Sequence, residues 1–331
     1  MQPVSRDCRG VILISVLWIM VGLSLLALTL AGTVRTEATL ARASGDAEQA
    51  YFFARGALEA VLYRIAFPDP DKEKQAALFP YAGGMNHYWL RNDRIACHVA
   101  VMDEAGKLDL NVVREETLQR LLMILGLNRS RAESVARSVV AWRTPGSEPG
   151  ASAAPRRPYR FVEELLRVPG VSRELFHGRP ARQEDGKVAF RRGLADFVTV
   201  YSGSSRINVN YAEPEVLAAL PGVSWDRAQS LAEARTAGLL DAADLSDRLP
   251  GEALPFVTVQ PSEAFCLVAT ARLEGSSTRR SLKVVVRLDG SSRQRHWRLA
   301  WYDETWPSPA VRRFSRRPLP ERGTAGMDRM G

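Results

Sequence analysis

The sequence predicts an α+β fold: a long N-terminal helix packed on an antiparallel β-sheet, with an all-α domain of two helical-hairpin repeats inserted into that sheet. Three observations predict it. An uncharged apolar run from Val11 to Val34 continues as an amphipathic stripe to Ile65. Segments of period-two alternation stand on both sides of the middle of the chain, one at Arg94 to Met102 and three after Glu263. Between them the period turns helical and a short motif recurs.

The helix comes first. As a helix rising about 1.5 Å per residue, Val11 to Val34 extends roughly 36 Å, against a hydrocarbon core of about 30 Å. Downstream, Ala47, Ala50, Tyr51, Ala54, Leu58, Val61, Leu62 and Ile65 recur at spacings of three and four. Pro68 ends the stripe, and Ser44-Gly45-Asp46 marks a weak point, so a kinked helix is expected from about Val11 to Phe67. Three readings compete for its start: a cleaved secretory signal ending near Thr29-Leu30-Ala31, a plain signal anchor, and a short processed leader. An ordinary signal has an apolar region of about 7–15 residues, which this run exceeds. Arg6 and Arg9 on one flank match Arg35 and Arg42 on the other, so charge does not orient the helix.

At the junction Arg9-Gly10-Val11 a short charged leader meets the apolar run with a glycine at the boundary. Here the chain resembles the prepilin and pseudopilin class. The resemblance implies cleavage between Gly10 and Val11 by a prepilin peptidase, with N-methylation of the new terminus. Most members carry glutamate at the fifth mature position; this chain has Ser15 there. A carboxylate in lipid is costly unless paired, so a subunit with no neighbour above it has reason to lack one.

The alternating segments follow. Arg94 to Met102, Ala264 to Leu273, Ser281 to Leu288 and Trp297 to Tyr302 read as strands; Glu274-Gly275-Ser276 and Asp289-Gly290-Ser291 suit the turns of a meander. The stretch after Pro68 reads as turns. Cys97 and Cys266 both fall in these strands, leaving open a disulfide or two buried free thiols, whereas Cys8 leaves with the leader.

In the middle, Leu108-Asp109-Leu110-Asn111 and Ile207-Asn208-Val209-Asn210 each lead into an amphipathic helix, and Asn111 and Asn210 suit helix starts by satisfying free amides. Each helix reaches an apolar-Gly-apolar turn, Leu125-Gly126-Leu127 or Pro221-Gly222-Val223, followed by a second helix. Val168-Pro169-Gly170-Val171 is a further turn of this kind. The glycine takes the positive φ that closes the hairpin, and its neighbours plug it.

Such hairpins serve DNA binders or protein-interaction domains. DNA binders place a second glycine after the turn so that backbone amides reach a phosphate; here Asn128, Ser172 and Ser224 occupy that position. Glu213, Glu215, Asp226 and Glu233 surround the second hairpin against Arg206, Arg227 and Arg235, too acidic for a phosphate track. A membrane-anchored helix-hairpin-helix DNA-binding protein of competence type is the second reading.

In order, leader, spine, strand, two hairpin repeats and closing strands resemble the minor pseudopilin K family of type II protein secretion, from Arg9 to about Tyr302. The resemblance implies a pilin-like spine and head carrying SAM-like hairpin repeats. It implies a structural subunit, not an enzyme, in the bacterial inner membrane, single-pass, with its C-terminal domain in the periplasm. It would cap the pseudopilus tip with minor pseudopilins of the I and J type and promote assembly for export of folded proteins. Prepilin peptidase, the inner membrane, secreted cargo and the outer-membrane secretin are the other partners it implies, with no nucleic acid. Expected boundaries are a leader at 1–10, spine 11–67, first part of the head 68–105, insert 106–255 (repeats about 106–200 and 204–255), closing strands 256–304 and a disordered Arg/Pro-rich tail 305–331. Family members can bind calcium after the first helical subdomain. In this chain, 141–158 offers only Glu148, and calcium wants six to eight oxygens, so no cofactor is expected.

Composition excludes other classes. With 331 residues, 46% hydrophobic and 25% charged, the chain is neither wholly disordered nor many-spanning. The net charge of +8 is concentrated in the tail, at Arg312, Arg313, Arg316, Arg317, Arg322 and Arg329. His87, His98, His177 and His296 share no zinc spacing, and Cys97 and His98 point to opposite faces of a strand, so no metal site is expected. Walker A, dinucleotide, His-Glu-x-x-His and Gly-x-Ser-x-Gly motifs are absent from the sequence. Glu115-Glu116 and Glu163-Glu164 suit helix starts.

Co-expression with a prepilin peptidase is expected to yield Val11 as the N-terminal residue, by intact mass and N-terminal sequencing. Loss of Arg6, Asp7 and Arg9 takes the formal charge from +8 to +7. A chain that keeps Met1 would remove the leader reading.

Overall fold

The apolar run and the stripe after it form one helix, α1 (Arg9–Ala66), which passes through Ser44-Gly45-Asp46 without interruption and stops two residues before Pro68. The structure, a computed structural model, describes residues 9–67, 81–82, 85–144, 157–182, 188–236, 238–276, 278–290 and 295–304. Most of the leader, the Arg/Pro tail and most of the segment weighed for calcium lie outside them.

Beyond α1 the head opens with β1 (Tyr81–Ala82), β2 (Met85–Arg91) and β3 (Ile95–Asp103). The first repeat holds β4 (Leu108–Asp109), α2 (Glu115–Ile124), α3 (Arg129–Arg143), α4 (Arg173–His177), β5 (Gly178–Arg182), β6 (Val188–Arg192) and β7 (Val198–Thr199). The second holds β8 (Ile207–Asn208), α5 (Pro214–Ala218), α6 (Trp225–Ala234), α7 (Ala242–Arg248) and β9 (Val257–Thr258). The chain returns to the head through β10 (Ala264–Leu273), β11 (Arg279–Leu288) and β12 (His296–Glu304).

Six strands form one antiparallel sheet in the order β1-β2-β3-β10-β11-β12. Alternation divides its faces. Cys97, Val99, Leu267, Ala269, Leu282 and Val284 bury against Ala50, Ala54, Ala57, Leu58, Val61 and Leu62 of α1. Ala100, Cys266, Val268 and Val285 face the other way, where Met85 and Tyr201 close over them. The sheet is therefore the middle layer between α1 and the insert.

β3 and β10 are neighbours, with Asp103 opposite Phe265. The insert is thus the loop of a β-hairpin, and a loop of that length costs only about 0.6 kcal/mol more to close than one half as long. It has its own core, including Leu110, Leu118, Leu122, Val135, Phe197 and Leu217.

Two sequence expectations need correction, and one left open is decided. β2 lies in the stretch expected to be turns. Its Asn86, His87, Tyr88 and Trp89 obscure the alternation, yet His87 is buried and its Nδ1 lies 2.8 Å from Nε2 of His98, with the Trp89 ring 4.3 Å from the His98 ring. The insert is mainly helical but not all-α. β4 pairs in parallel with β7, β8 pairs in parallel with β9, and β5-β6 is a hairpin. Two-residue strands are too short to show a period in the sequence. Of the two alternatives left open for Cys97 and Cys266, the structure has two buried thiols that form no disulfide. Cys97 lies opposite Ala271 and Cys266 opposite Met102. This odd offset along β10 puts the two on opposite sheet faces and roughly 17 Å apart along the strands, beyond the Cα separation of about 7 Å that a disulfide spans.

Burial, reinforced by His87, lowers the His98 pKa from 6.5 to about 3. The unfolded imidazole takes a proton near pH 6.5 and the folded one does not, so the unfolded state binds more protons across that window. Stability is expected to fall as pH drops below 6.5 and to be flat with respect to this group above it. Denaturant midpoints between pH 4 and 8, compared with a His98→Gln variant, check this; a variant with the same slope would refute it.

Candidate functional site

The surfaces available for function are the spine and the hairpins, since both present features that folding of the chain alone does not use. Along α1, every large hydrophobic from Leu13 to Val34 is exposed, Leu13 at 73% and Trp18 at 71%. Hydroxyls in this stretch bond back one turn: Ser24 donates to Met20 O at 2.8 Å, Thr29 to Leu26 O at 2.9 Å and Thr33 to Leu30 O at 2.8 Å. These polar side chains therefore need no water, and α1 is long and apolar enough to cross a membrane. Gly10 and Val11 lie in its first turn by backbone, and Ser15 is exposed on it.

One carboxylate gathers the two ends of the insert onto the head, beside the bonds from Tyr211 to Asn86 and between Tyr201 and Tyr302. Asp103, at the end of β3, accepts from Ala105 N at 2.8 Å, Asn208 Nδ2 at 2.8 Å, Ser262 N at 2.8 Å and the Ser262 hydroxyl. The lead-in, the second repeat and the return strand thus meet on one side chain. Beside it, Lys107 Nζ lies 2.8 Å from Glu104 Oε1; burial works against the Glu104 charge, but Lys107, the Thr199 hydroxyl and Lys283 together hold this pKa below its ordinary value. A cavity of about 370 Å³ remains between sheet and insert, with Glu104, Lys107, Asp196 and Lys283 among its walls.

Both repeats share one polar skeleton. Asp109 Oδ1 accepts from Asn111 N at 2.8 Å, as Asn208 Oδ1 accepts from Asn210 N at 3.1 Å. The amide of Asn111 exchanges two hydrogen bonds with the backbone of Tyr159, and that of Asn210 two with Leu240. Arg143 donates to the carbonyls of Leu110 and Val113, and Arg235 to those of Val209 and Ala212. The predicted role of Asn111 and Asn210 is thereby revised. They satisfy free amides, but of a distant segment; the helices begin after Arg114 and Glu213 instead. The arginine clamps escaped sequence reading because each joins a helix end to a segment far back in the chain.

The hairpin glycines have φ of +100° at Gly126, +87° at Gly170 and +67° at Gly222. Pro169 and Pro221 precede the latter two. Asn128, Ser172 and Ser224 each cap the following helix, accepting from Arg131 N at 2.9 Å, Leu175 N at 3.1 Å and Arg227 N at 3.3 Å. The three turns meet different neighbours. A Cβ at Gly126 would lie 3.0 Å from Arg191 Nη1, one at Gly170 2.8 Å from Val135 Cγ2, and one at Gly222 2.0 Å from Glu252 Oε1.

Residues 207–265 match the family described as type II secretion system (T2SS), protein K. A search of the curated proteins finds no match. Among solved structures, the GspK-GspI-GspJ complex of the type 2 secretion system from enterotoxigenic Escherichia coli is similar at 12% identity, covering 80% of this chain and 98% of the matched chain, with a TM-score of 0.49.

Asn208→Asp would set a second carboxylate 2.8 Å from Asp103. The expected loss is about 3–5 kcal/mol at neutral pH. Because the new carboxyl is driven to a raised pKa, the loss shrinks as pH falls and one of the pair protonates. Denaturation at pH 7 and 5 checks both the size and the sign.

Proposed function

We propose, from the match of residues 207–265 to the protein K family of type II secretion systems, that the whole chain is a minor pseudopilin of that apparatus. The single observation that carries this is the family match at 207–265, a segment that contains Asn208 and Ser262, the residues that tie the insert to the head. The match is supported by what surrounds it: a helix of spanning length before the head, and hairpins whose helix ends are already capped by side chains.

The role is structural. α1 anchors the chain in the inner membrane, cleaved after Gly10, and the head and insert stand in the periplasm. There the chain caps the pseudopilus tip with minor pseudopilins of the I and J type and promotes assembly. Ser15 fits that position, since a subunit with nothing above it has no amine to pair with a membrane-embedded carboxylate. Glu252 over the Gly222 turn argues against a phosphate track on the second hairpin.

Deleting the gene is expected to stop export of the system's folded substrates, with complementation restoring it. Co-expression with I- and J-type pseudopilins is expected to give an equimolar complex from detergent extracts. A C-terminal alkaline phosphatase fusion is expected to be active. Normal secretion in the deletion strain would overturn the proposal, and tight duplex DNA binding that falls steeply with salt would favour the competence-type reading.

A further inference from the structure

A groove of about 330 Å³ lies beside the first hairpin turn, between Leu125-Gly126-Leu127-Asn128, α4 and the base of the β5-β6 hairpin. Arg131 enters it from α3, Arg179 from β5, and Arg191 and Arg192 from β6; Glu174 is the one acid among the lining residues. Arg192 is committed elsewhere, 3.0 Å from both Glu213 and Glu215. Among the described residues, Arg131, Arg179 and Arg191 form no ion pair. Three guanidinium groups without an ion pair among the described residues, on three elements, therefore line one concavity.

The second repeat shows what a turn of this type accommodates. There the carboxylate of Glu252, from the same chain, occupies the space where a side chain at Gly222 would stand. At Gly126 the corresponding space borders the guanidinium of Arg191, and the groove beside it is open. We infer that this groove docks an acidic segment of a partner protein, whose carboxylates take Arg131, Arg179 and Arg191.

Chemistry and size favour a peptide. The planar guanidinium fork matches a carboxylate with two parallel hydrogen bonds. The groove lies at the lower end of the range of ligand pockets, about 300–1,000 Å³, which suits a short run of acidic side chains. A duplex, larger than the groove, would also meet Glu213 and Glu215, which stand beside Arg192 at its edge. Asn128 and Ser172 also cap the helix ends beside the groove, so those amides are not open to a phosphate. The inference goes beyond the secretion role and does not depend on it.

The test uses the full chain in detergent and fluorescein-labelled hexaglutamate, read by anisotropy at low salt. Saturable binding is expected, weakened at least about tenfold by Arg131→Glu with Arg191→Glu. Arg179→Glu alone, on an exposed strand residue, is expected to weaken it in the same direction. Arg131→Lys with Arg191→Lys is expected to retain most of it, and Arg312→Glu with Arg313→Glu in the tail to leave it unchanged. Absence of hexaglutamate binding, equal affinity in all the groove variants, or loss in the tail variant alone would each overturn the inference. So would a DNA duplex that displaces hexaglutamate and binds more tightly, with the same dependence on Arg131 and Arg191.

Discussion

Asp103 is the constraint on which the arrangement of the whole head depends. The insert leaves the sheet after β3 and returns to the adjacent strand β10, so its two ends must be held one strand spacing apart. A buried carboxylate does this because it can accept several hydrogen bonds at once, and it requires donors on every side. Ala105, Asn208 and Ser262 supply them from the lead-in, the second repeat and the return. Asp103 is 1% exposed, so removing any one donor would leave part of a charge unsatisfied rather than return it to water.

That requirement explains a difference between the two repeats that would otherwise look arbitrary. Asp109 and Asn208 hold the same place in the skeleton, each accepting from an asparagine amide two residues on. Asp109 uses its second oxygen to accept from Gly203 N at 2.7 Å and the Ser202 hydroxyl at 3.0 Å. Asn208 has the opposite task, donating to the Asp103 carboxylate and to the Gln260 carbonyl. Acid in one copy and amide in the other follow from whether the surroundings offer donors or acceptors. The duplicated skeleton closes each unit; the side chain that differs is what lets the second unit bond Asp103.

Much of this was legible in the sequence, and the limits have physical causes. α1 and the three C-terminal strands are long enough for a period to emerge, and Gly126, Gly170 and Gly222 announce themselves because few other residues tolerate positive φ. β2 is hidden because its buried positions include histidine, which there meets a partner on β3, a tertiary fact. The parallel pairs β4-β7 and β8-β9 depend on closure of each repeat, and the Arg143 and Arg235 clamps depend on the hairpin fold bringing a helix end back to the lead-in. The sequence marks Asn111 and Asn210 as residues that satisfy amides at a helix start, but the amides they satisfy belong to Tyr159 and Leu240, contacts with no local signature.

The layered arrangement then separates two kinds of surface. α1 lies against one face of the sheet and the insert against the other, so six antiparallel strands stand between them. On the helix side, apolar residues from Leu13 to Val34 give way to Arg35, Glu37, Arg42, Asp46 and Glu48 before burial begins at Ala50. A polar collar of that length, roughly 22 Å at 1.5 Å per residue, sets the head clear of whatever surrounds the apolar run. A helix apolar on all sides belongs in lipid or among other helices, and occupying it there makes no demand on the insert. The hairpins and their arginine groove are left free to meet a different partner, and a contact on one side does not have to be broken for the other to form.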